Sequence, residues 1–309
     1  MPARCCRACQ ASARGRTFSS GRICTAPTRC TWRCCGGLPD EGSSPPVGWP
    51  GGGAFVDNRS DAATERLVQR FAELLGAALP LTALWAHGSL ALGDYQPGRS
   101  DLDLLAVLER APDAAGRARL VELHRQLERE SPLAEKLHCS YLLPDRLADP
   151  ALKHLTWAHR ELLERPVTVV TRRELELGGR CYLGPVPGEL LPPVGEAELH
   201  RFIRADLTEF WLPATAHWLR WRRDDWVDVG LTTLARASVT LRDGRLLTKS
   251  QALDVLPEFG VSAELLADVR RRRHGQPVAT GWRWQSRRAT ETRRVMRCGI
   301  GQVVADHRS

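Results

Sequence analysis

The sequence lacks a long hydrophobic segment. Across its 309 residues, no apolar run reaches the roughly 18–20 residues that a membrane-spanning helix needs. The basic N-terminus is not followed by the continuous apolar core of a secretory signal peptide. These absences predict a cytoplasmic protein in a reducing environment, without a membrane partner.

Lysine is scarce. Lys136, Lys153 and Lys249 are the only lysines among 44 basic residues, a bias more typical of high-GC codon usage than of selection for phosphate contacts. The formal net charge is +8, but residues 1–53 contain seven arginines and two acids, which leaves only +3 for residues 54–309. A nearly neutral body argues against a nucleic-acid partner, because binding to phosphates usually needs a basic face.

Cysteine is almost absent after residue 35, where only three of the ten cysteines occur. The other seven are Cys5, Cys6, Cys9, Cys24, Cys30, Cys34 and Cys35. Cys6 and Cys9 have the spacing of a zinc-binding pair, but no second clean pair follows them. Residues 36–53 are rich in Pro, Gly and Ser, which is typical of a linker. We therefore expect residues 1–53 to be a disordered leader and linker or the product of a mis-chosen start codon, rather than a zinc site.

Hydrophobic periodicity predicts an α/β domain over residues 54–183. Helices are expected at residues 60–78, 113–129 and 154–164, and strands at residues 82–87, 101–108, 136–143 and 167–171. After a Pro-rich stretch at residues 184–194, only helical periods recur, at residues 196–207, 226–240, 249–256 and 262–272. The sequence therefore predicts an all-helical domain over residues 195–297 and a tail over residues 298–309.

A Gly-Ser turn followed by two aspartates is the motif that indicates chemistry. Gly88 allows the backbone to approach a phosphate closely, and Ser89 with the N–H groups of the turn can hold phosphate oxygens. Asp101 and Asp103 lie two residues apart on a predicted strand, so both carboxylates leave the same face. Hard oxygen ligands of this kind, together with substrate phosphates, suit Mg²⁺.

The alternative for these aspartates is an ordinary surface strand. The strand around Asp101 and Asp103 consists otherwise of Leu, Ala and Val, so both carboxylates would be partly buried side by side. Unpaired buried carboxylates are costly, and a cation between them would offset that cost. We therefore favour a metal-binding role.

These residues resemble a family signature. The stretch His87-Gly88-Ser89 with Ser100-Asp101-Leu102-Asp103-Leu104-Leu105 looks like that of the polymerase-beta-like nucleotidyltransferases. The segment Leu231-Thr232-Thr233-Leu234-Ala235-Arg236, followed by Thr248-Lys249, resembles the helical-domain signature of the aminoglycoside nucleotidyltransferases that adenylylate streptomycin and spectinomycin. The likeness covers about residues 60–275.

The resemblance implies a fold, a reaction and roles for residues. The fold would be an α/β nucleotidyltransferase domain, with a mixed sheet and flanking helices, followed by an all-helical C-terminal domain. The reaction would move AMP from ATP to a hydroxyl of a small acceptor, such as an aminoglycoside, with Mg²⁺ as cofactor. Gly88 and Ser89 would hold the nucleotide phosphates, Asp101 and Asp103 would bind the metal, and Arg236 and Lys249 would reach the triphosphate from the helical domain. We expect a monomer.

The sequence departs from the family on the third strand. The family places there a carboxylate that deprotonates the acceptor, whereas this strand has no acid in its middle. His138 falls near the expected position and can serve as a general base, since a neutral imidazole accepts a proton near pH 7. A core histidine is the equally weighted alternative, and Glu135 is a weaker substitute. The departure leaves open a nucleotide-binding regulatory module without turnover, or a macromolecular acceptor.

The acceptor-binding residues of the family also match only partly. Trp157 stands where a ring would stack on the acceptor, although packing is the favoured interpretation. Asp224, Asp225 and Asp228 could form an acidic rim for a cationic substrate, or could instead complement the dipole of a helix. The basic run at residues 270–273 is expected to favour a helix end and solvent.

Overall fold

The computed structural model describes residues 58–147, 149 and 151–307, with side chains from residue 62 onward. The predicted leader and linker, including the cysteine cluster, lie outside the described residues. The described residues belong to one unit of the chain, residues 55–309.

A mixed sheet forms the first half of the described chain. Its strands are β1 (Leu81–Ala86), β2 (Leu102–Leu108), β3 (Leu137–Leu142), β4 (Lys153–Ala158), β5 (Glu161–Pro166) and β6 (Arg180–Leu183). They lie in the order β5-β4-β3-β2-β1-β6. Of these neighbours, β2 and β3 pair in parallel and the others are antiparallel. A helical crossover connects β2 to β3, as a parallel pair requires.

Helices flank this sheet and form the rest of the described chain. They are α1 (Asn58–Ala78), α2 (Gly88–Ala91), α3 (Ala114–Glu130), α4 (Val169–Gly178), α5 (Pro187–Leu190), α6 (Glu196–Ala205), α7 (Leu212–Ala214), α8 (Asp224–Asp243), α9 (Lys249–Val255), α10 (Ala263–Arg273) and α11 (Trp282–Asp306). Within residues 58–147, 149 and 151–307, none of the helices combines the length and hydrophobicity that crossing a bilayer requires. The predicted fold class, an α/β domain followed by helices, is confirmed.

Alternation along the strands gives the sheet two buried faces. Leu102, Leu104 and Ala106 of β2 belong to the core shared with α1 and α3. Leu105 and Val107 point to the opposite face, where they form a second core with residues that include Leu175 of α4. Side chains at odd-numbered positions of β2 therefore face α4, and this alternation orients the residues of the site.

The prediction for residues 154–171 was wrong. The expected helix at residues 154–164 is a hairpin of β4 and β5, and the expected strand at residues 167–171 includes the start of α4, which Thr168 caps by accepting a hydrogen bond from the backbone N–H of Thr171. His159 and Arg160 form the two-residue turn of this hairpin, with φ of 53° and 66°. Such turns favour Asn and Gly, so His-Arg offered no signal for a hairpin.

The predicted helices of the second half are present as α6, α8, α9 and α10. Helix α11 was not predicted, because arginines interrupt its apolar pattern. It has 25 residues, and its last turns bury Ile300 and Val303 in the helical core. The residues expected as a tail from 298 onward therefore continue this packed helix as far as Asp306.

A buried ion-pair network joins the helices of the second half. The Arg288 side chain of α11 is 1% exposed and lies 3.3 Å from Asp268 of α10 and 2.5 Å from Asp224 of α8. Its Nη2 also donates to the carbonyl of Arg222 at 2.8 Å. Arg288 thus contacts two of the helices that reach the site described below.

Replacing Arg288 tests this network. Arg288→Met leaves the buried Asp268 carboxylate with one partner fewer, and breaking a buried pair on one side costs about 3–5 kcal/mol. We expect a loss of that order in the free energy of unfolding, measured by urea denaturation. Arg287→Met is the control, since Arg287 pairs with an exposed Glu264, and equal losses in both variants would contradict the structural role of Arg288.

Candidate active site

One cleft lies where the sheet meets α8, α9 and α10. Its described lining is Gly88, Ser89, Leu92, Asp94, Ser100, Asp101, Asp103, Glu174, Arg236, Thr248, Lys249 and Arg273. Six of the seven candidate residues from the sequence are among these, and they come from segments up to 161 residues apart in the chain. The seventh, His138, contacts Asp103.

The turn after β1 brings Gly88 against Asp103. Gly88 has a φ of +63°, and a Cβ added there would lie 2.5 Å from Asp103 Oδ2. The N–H of His87 donates to the backbone carbonyl of Asp103 at 3.0 Å, which holds the turn beside β2. Glycine is needed at position 88 both for its backbone conformation and for this close approach.

Asp101 and Asp103 open onto the same cleft, as their spacing predicts. Asp101 Oδ1 lies 3.5 Å from Lys136 Nζ, and Asp103 Oδ1 lies 3.6 Å from His138 Nδ1. Burial raises the pKa of Asp103. The hydrogen bond with His138 and the positive charges of His87 and Lys249 lower the pKa by a larger amount. The net pKa is below its usual value, so Asp103 is an anion near neutral pH.

This pair of carboxylates fits a hard divalent cation. The described side chains contain no group of three or more His, Cys, Asp or Glu that could hold a metal ion by themselves. Mg²⁺ does not need such a cage, because it usually binds one or two carboxylates and completes its shell with water and substrate phosphates. The donor set therefore matches a metal that arrives with a nucleotide.

Glu174 of α4 connects the turn to the helical half, a role that no sequence motif predicts. Its Oε2 accepts hydrogen bonds from the Gly88 N–H and from His87 Nδ1, both at 3.2 Å, and its Oε1 accepts from Arg236 Nη2 at 3.2 Å. Burial raises the pKa of Glu174, but the His87 hydrogen bond and the charges of His87 and Arg236 lower it to a net value below normal. The Gly88 N–H is thus already used, which leaves Ser89 and the rest of the turn for a phosphate.

Arg236 and Lys249 approach from the helical half in different ways. Arg236 on α8 is held by Glu174 and by the carbonyl of Leu247, to which its Nε donates at 2.7 Å. Lys249 is exposed at the start of α9, a position set by the capping box of Thr248 and Gln251. Arg236 is therefore preorganised, whereas Lys249 keeps its freedom to move.

A second ion pair fastens α9 and α10 to the turn. Asp94 accepts hydrogen bonds from the Ser250 N–H at 3.1 Å and the Ser250 hydroxyl at 2.6 Å, and pairs with Arg273 at 2.7 Å. Arg273 belongs to the basic run that was expected to face solvent, and instead its side chain is 15% exposed. A single Asp in a Gly-rich turn carries no sequence signal for such a role.

His138 lies in register with Asp103 across the parallel pair β2 and β3. Its imidazole is on the face of the sheet that carries Asp103, and its ring centroid lies 5.1 Å from that of His159. His159 reaches this place from the hairpin turn with positive φ. The third strand therefore places a histidine beside the carboxylate pair.

Trp157 serves packing, on a strand instead of the predicted helix. It is 2% exposed and stacks on His124 with a centroid distance of 4.4 Å. Burial lowers the pKa of His124 to about 3, so this imidazole is neutral, and its Nε2 lies 2.6 Å from the Tyr141 hydroxyl. Trp157 is thus committed to the core and does not offer a face to an acceptor.

Comparison with known proteins defines the class of this protein. Residues 65–182 match the family model of the nucleotidyltransferase domain. The match spans most of α1 through β6 and includes the Gly88–Ser89 turn, the two aspartates and Glu174. The chain therefore contains a nucleotidyltransferase domain, which confirms the superfamily indicated by the sequence motif.

A solved structure extends the likeness of the fold into the helical half. Spectinomycin adenyltransferase AAD(9) from Enterococcus faecialis, solved with ATP and spectinomycin, is similar with a TM-score of 0.59 and 15% sequence identity. The similarity covers 77% of this chain and 99% of that one. No curated protein sequence matches the chain.

Alanine at position 88 tests the close approach to Asp103. Gly88→Ala places a Cβ against Asp103 Oδ2 and adds strain from positive φ, so we expect a loss of about 2–3 kcal/mol in the free energy of unfolding. Gly93→Ala is the matched control, with a φ of +73° and no atom within 4 Å of the added Cβ. Urea denaturation should show the larger loss for Gly88→Ala, and the contact is unimportant if both variants lose the same amount.

Proposed function

We propose that this protein transfers AMP from ATP to a hydroxyl group of a small acceptor, with Mg²⁺ as cofactor. The observation that carries the proposal is the cleft itself. The half of the chain that forms the sheet contributes the Gly88–Ser89 turn with Asp101 and Asp103 to its lining, and the helical half contributes the cations of Arg236 and Lys249. A triphosphate with a divalent cation complements both sides.

The side chains of the cleft divide the work of holding the nucleotide. The Ser89 hydroxyl and the turn bind phosphate oxygens, and Arg236 presents a guanidinium that Glu174 has already oriented. Lys249 stabilises the negative charge that develops as pyrophosphate leaves. ATP is favoured as the donor because the structurally similar adenyltransferase was solved with ATP.

Asp101 and Asp103 would hold the metal. Mg²⁺ bound there supplies positive charge that offsets the negative charge on the attacked phosphate and on the departing pyrophosphate. The lowered pKa of Asp103 keeps its carboxylate ionised for this purpose.

The transfer step requires one group that accepts the proton of the acceptor hydroxyl. The acceptor oxygen forms a bond to the α-phosphorus, and the bond from that phosphorus to the bridging oxygen breaks as pyrophosphate departs. His138, beside Asp103, takes the hydroxyl proton in place of the carboxylate that the family has on this strand. The products are an adenylylated acceptor and pyrophosphate.

The missing carboxylate also supports a second candidate. A nucleotide-binding regulatory module without turnover would keep the same cleft and bind ATP in a magnesium-dependent way. Transfer to a macromolecular hydroxyl is a third candidate, which the nearly neutral charge of residues 54–309 disfavours for nucleic acids.

Neutralising the carboxylates tests the metal site. Asp101→Asn and Asp103→Asn should each remove the magnesium dependence of binding of a non-hydrolysable ATP analogue, measured by calorimetry, and reduce pyrophosphate release below detection. Asp145→Asn, at an exposed site away from the cleft, is the control. Retained turnover in the Asp101 variant would rule out this mechanism.

Removing His138 separates the enzyme from the silent module. His138→Ala should lower kcat by roughly a hundredfold to ten-thousandfold, the usual contribution of a general base, while affinity for the ATP analogue changes little. His217→Ala, an exposed histidine outside the cleft, controls for the substitution. The silent module predicts magnesium-dependent binding of ATP with no transfer in the unaltered protein, and no effect of either substitution.

A further inference from the structure

We propose that the acceptor carries an anionic group, a carboxylate or a phosphate, which binds to Arg99 in a second cleft next to the nucleotide cleft. This inference rests on the proposed function and names the class of its acceptor. It differs from the cationic aminoglycoside that the family resemblance implies.

The second cleft adjoins the first. Its described lining is Arg99, Lys136, Asp225, Asp228, Val229, Thr232, Lys249, Leu253, Val269, Arg272 and Arg273. Lys249 and Arg273 line both clefts. Lys136, which lines the second, lies 3.5 Å from Asp101, which lines the first. The second cleft therefore adjoins the carboxylate pair, close enough for a molecule bound there to reach it.

The carboxylates of this cleft are already paired with arginines. Asp228 accepts hydrogen bonds from Nε and Nη2 of Arg272 at 2.7–3.0 Å. Asp225 accepts from Nε and Nη2 of Arg223 at 3.0 and 2.7 Å. Asp224, the third member of the expected acidic rim, lies 2.5 Å from the buried Arg288. The bidentate contact with Arg272 engages Asp228, the least exposed of the three carboxylates, whereas Asp224 and Asp225 remain about half exposed.

The cations of the cleft are less well neutralised. Arg99 is exposed, and its Nη2 donates to the carbonyl of Arg272 near the C-terminal end of α10. Within the described part of the chain, neither Arg99 nor Lys249 has a carboxylate in an ion pair. Lys249 lines the nucleotide cleft as well, so Arg99 is the cation that the nucleotide proposal does not use.

The position of Arg99 suits anion binding. Its guanidinium lies against Gly275, where a Cβ would collide with it, and one N–H is fixed by the backbone of α10. A guanidinium has five N–H donors, so the remaining ones can bind a carboxylate or phosphate with two parallel hydrogen bonds. Thr232 adds a hydroxyl, and Val229, Leu253 and Val269 add apolar surface for the body of the acceptor.

Electrostatics decides between the two classes of acceptor. A polycation entering this cleft would meet Arg99 and Lys249, which have no carboxylate partner among the described residues, while Arg272 engages Asp228, and like charges brought together cost affinity. An anion would gain the opposite interaction. The charge of the described lining therefore favours an acceptor of negative charge.

Binding of matched probes tests the charge preference. The probes are glucuronate and glucose 6-phosphate as anions, glucose as the neutral compound, and glucosamine and spectinomycin as cations. Each is titrated calorimetrically into the full-length protein, with and without Mg²⁺ and a non-hydrolysable ATP analogue. We expect at least one anionic probe to bind tenfold or more tightly than every cationic probe. Equal binding, tighter binding of a cation, or no binding of either anion overturns the proposal.

Arg99→Gln locates the preference. It should weaken binding of the anionic probe about tenfold, the loss of one charge-assisted contact, and leave that of glucose and the ATP analogue unchanged. Arg201→Gln, an exposed arginine on α6 that lines neither cleft, controls for the change in net charge. If Arg99→Gln weakens only the ATP analogue, or leaves the anion preference intact, Arg99 is not the acceptor site.

If the proposed function is wrong, the titrations give a different result. In that case the ATP analogue does not bind with Mg²⁺, whereas the charge preference of the second cleft is still measured in the titrations without nucleotide. The two proposals can therefore be overturned separately.

Discussion

The site depends on one buried carboxylate that never needs to touch a substrate. Glu174 accepts hydrogen bonds from the Gly88 turn, from His87 and from Arg236. These three groups belong to the turn after β1 and to α8 of the helical half. Because a buried carboxylate is stable only with such partners, the interaction fixes the distance between the two sides of the cleft.

Charge balance explains why so many ionisable groups can share this small region. Asp101, Asp103 and Glu174 would repel one another if they were left alone. Lys136, His138 and His87 each contact a different one of these carboxylates. Arg236 and Lys249 add positive charge on the helical side of the cleft, and a polyanionic nucleotide with its metal can balance this charge. The arrangement favours a ligand that brings both charge signs.

The arginine-rich composition serves the architecture more than it serves ligand binding. Arg272, Arg273 and Arg288 connect helices α8, α10 and α11 to one another and to the turn through Asp228, Asp94 and Asp268. Asp228, an acid that could have bound a cationic acceptor, is engaged in these contacts. The protein shares its fold with a spectinomycin adenyltransferase, but a shared fold does not determine the acceptor.

The sequence by itself determined the parts of this protein whose signals are local. The Gly-Ser turn and the spacing of Asp101, just before β2, and Asp103, within it, were predictable because backbone freedom and the two-residue period of a strand act over a few residues. The helices α6, α8, α9 and α10 were predictable from their periodicity for the same reason. Tertiary structure alone decided the hairpin at His159, the roles of Glu174, Asp94 and Arg273, and the pairing of the acidic rim. The roles of Glu174, Asp94 and Arg273 depend on partners far away in the chain, and a charged side chain acquires its function only when packing selects that partner.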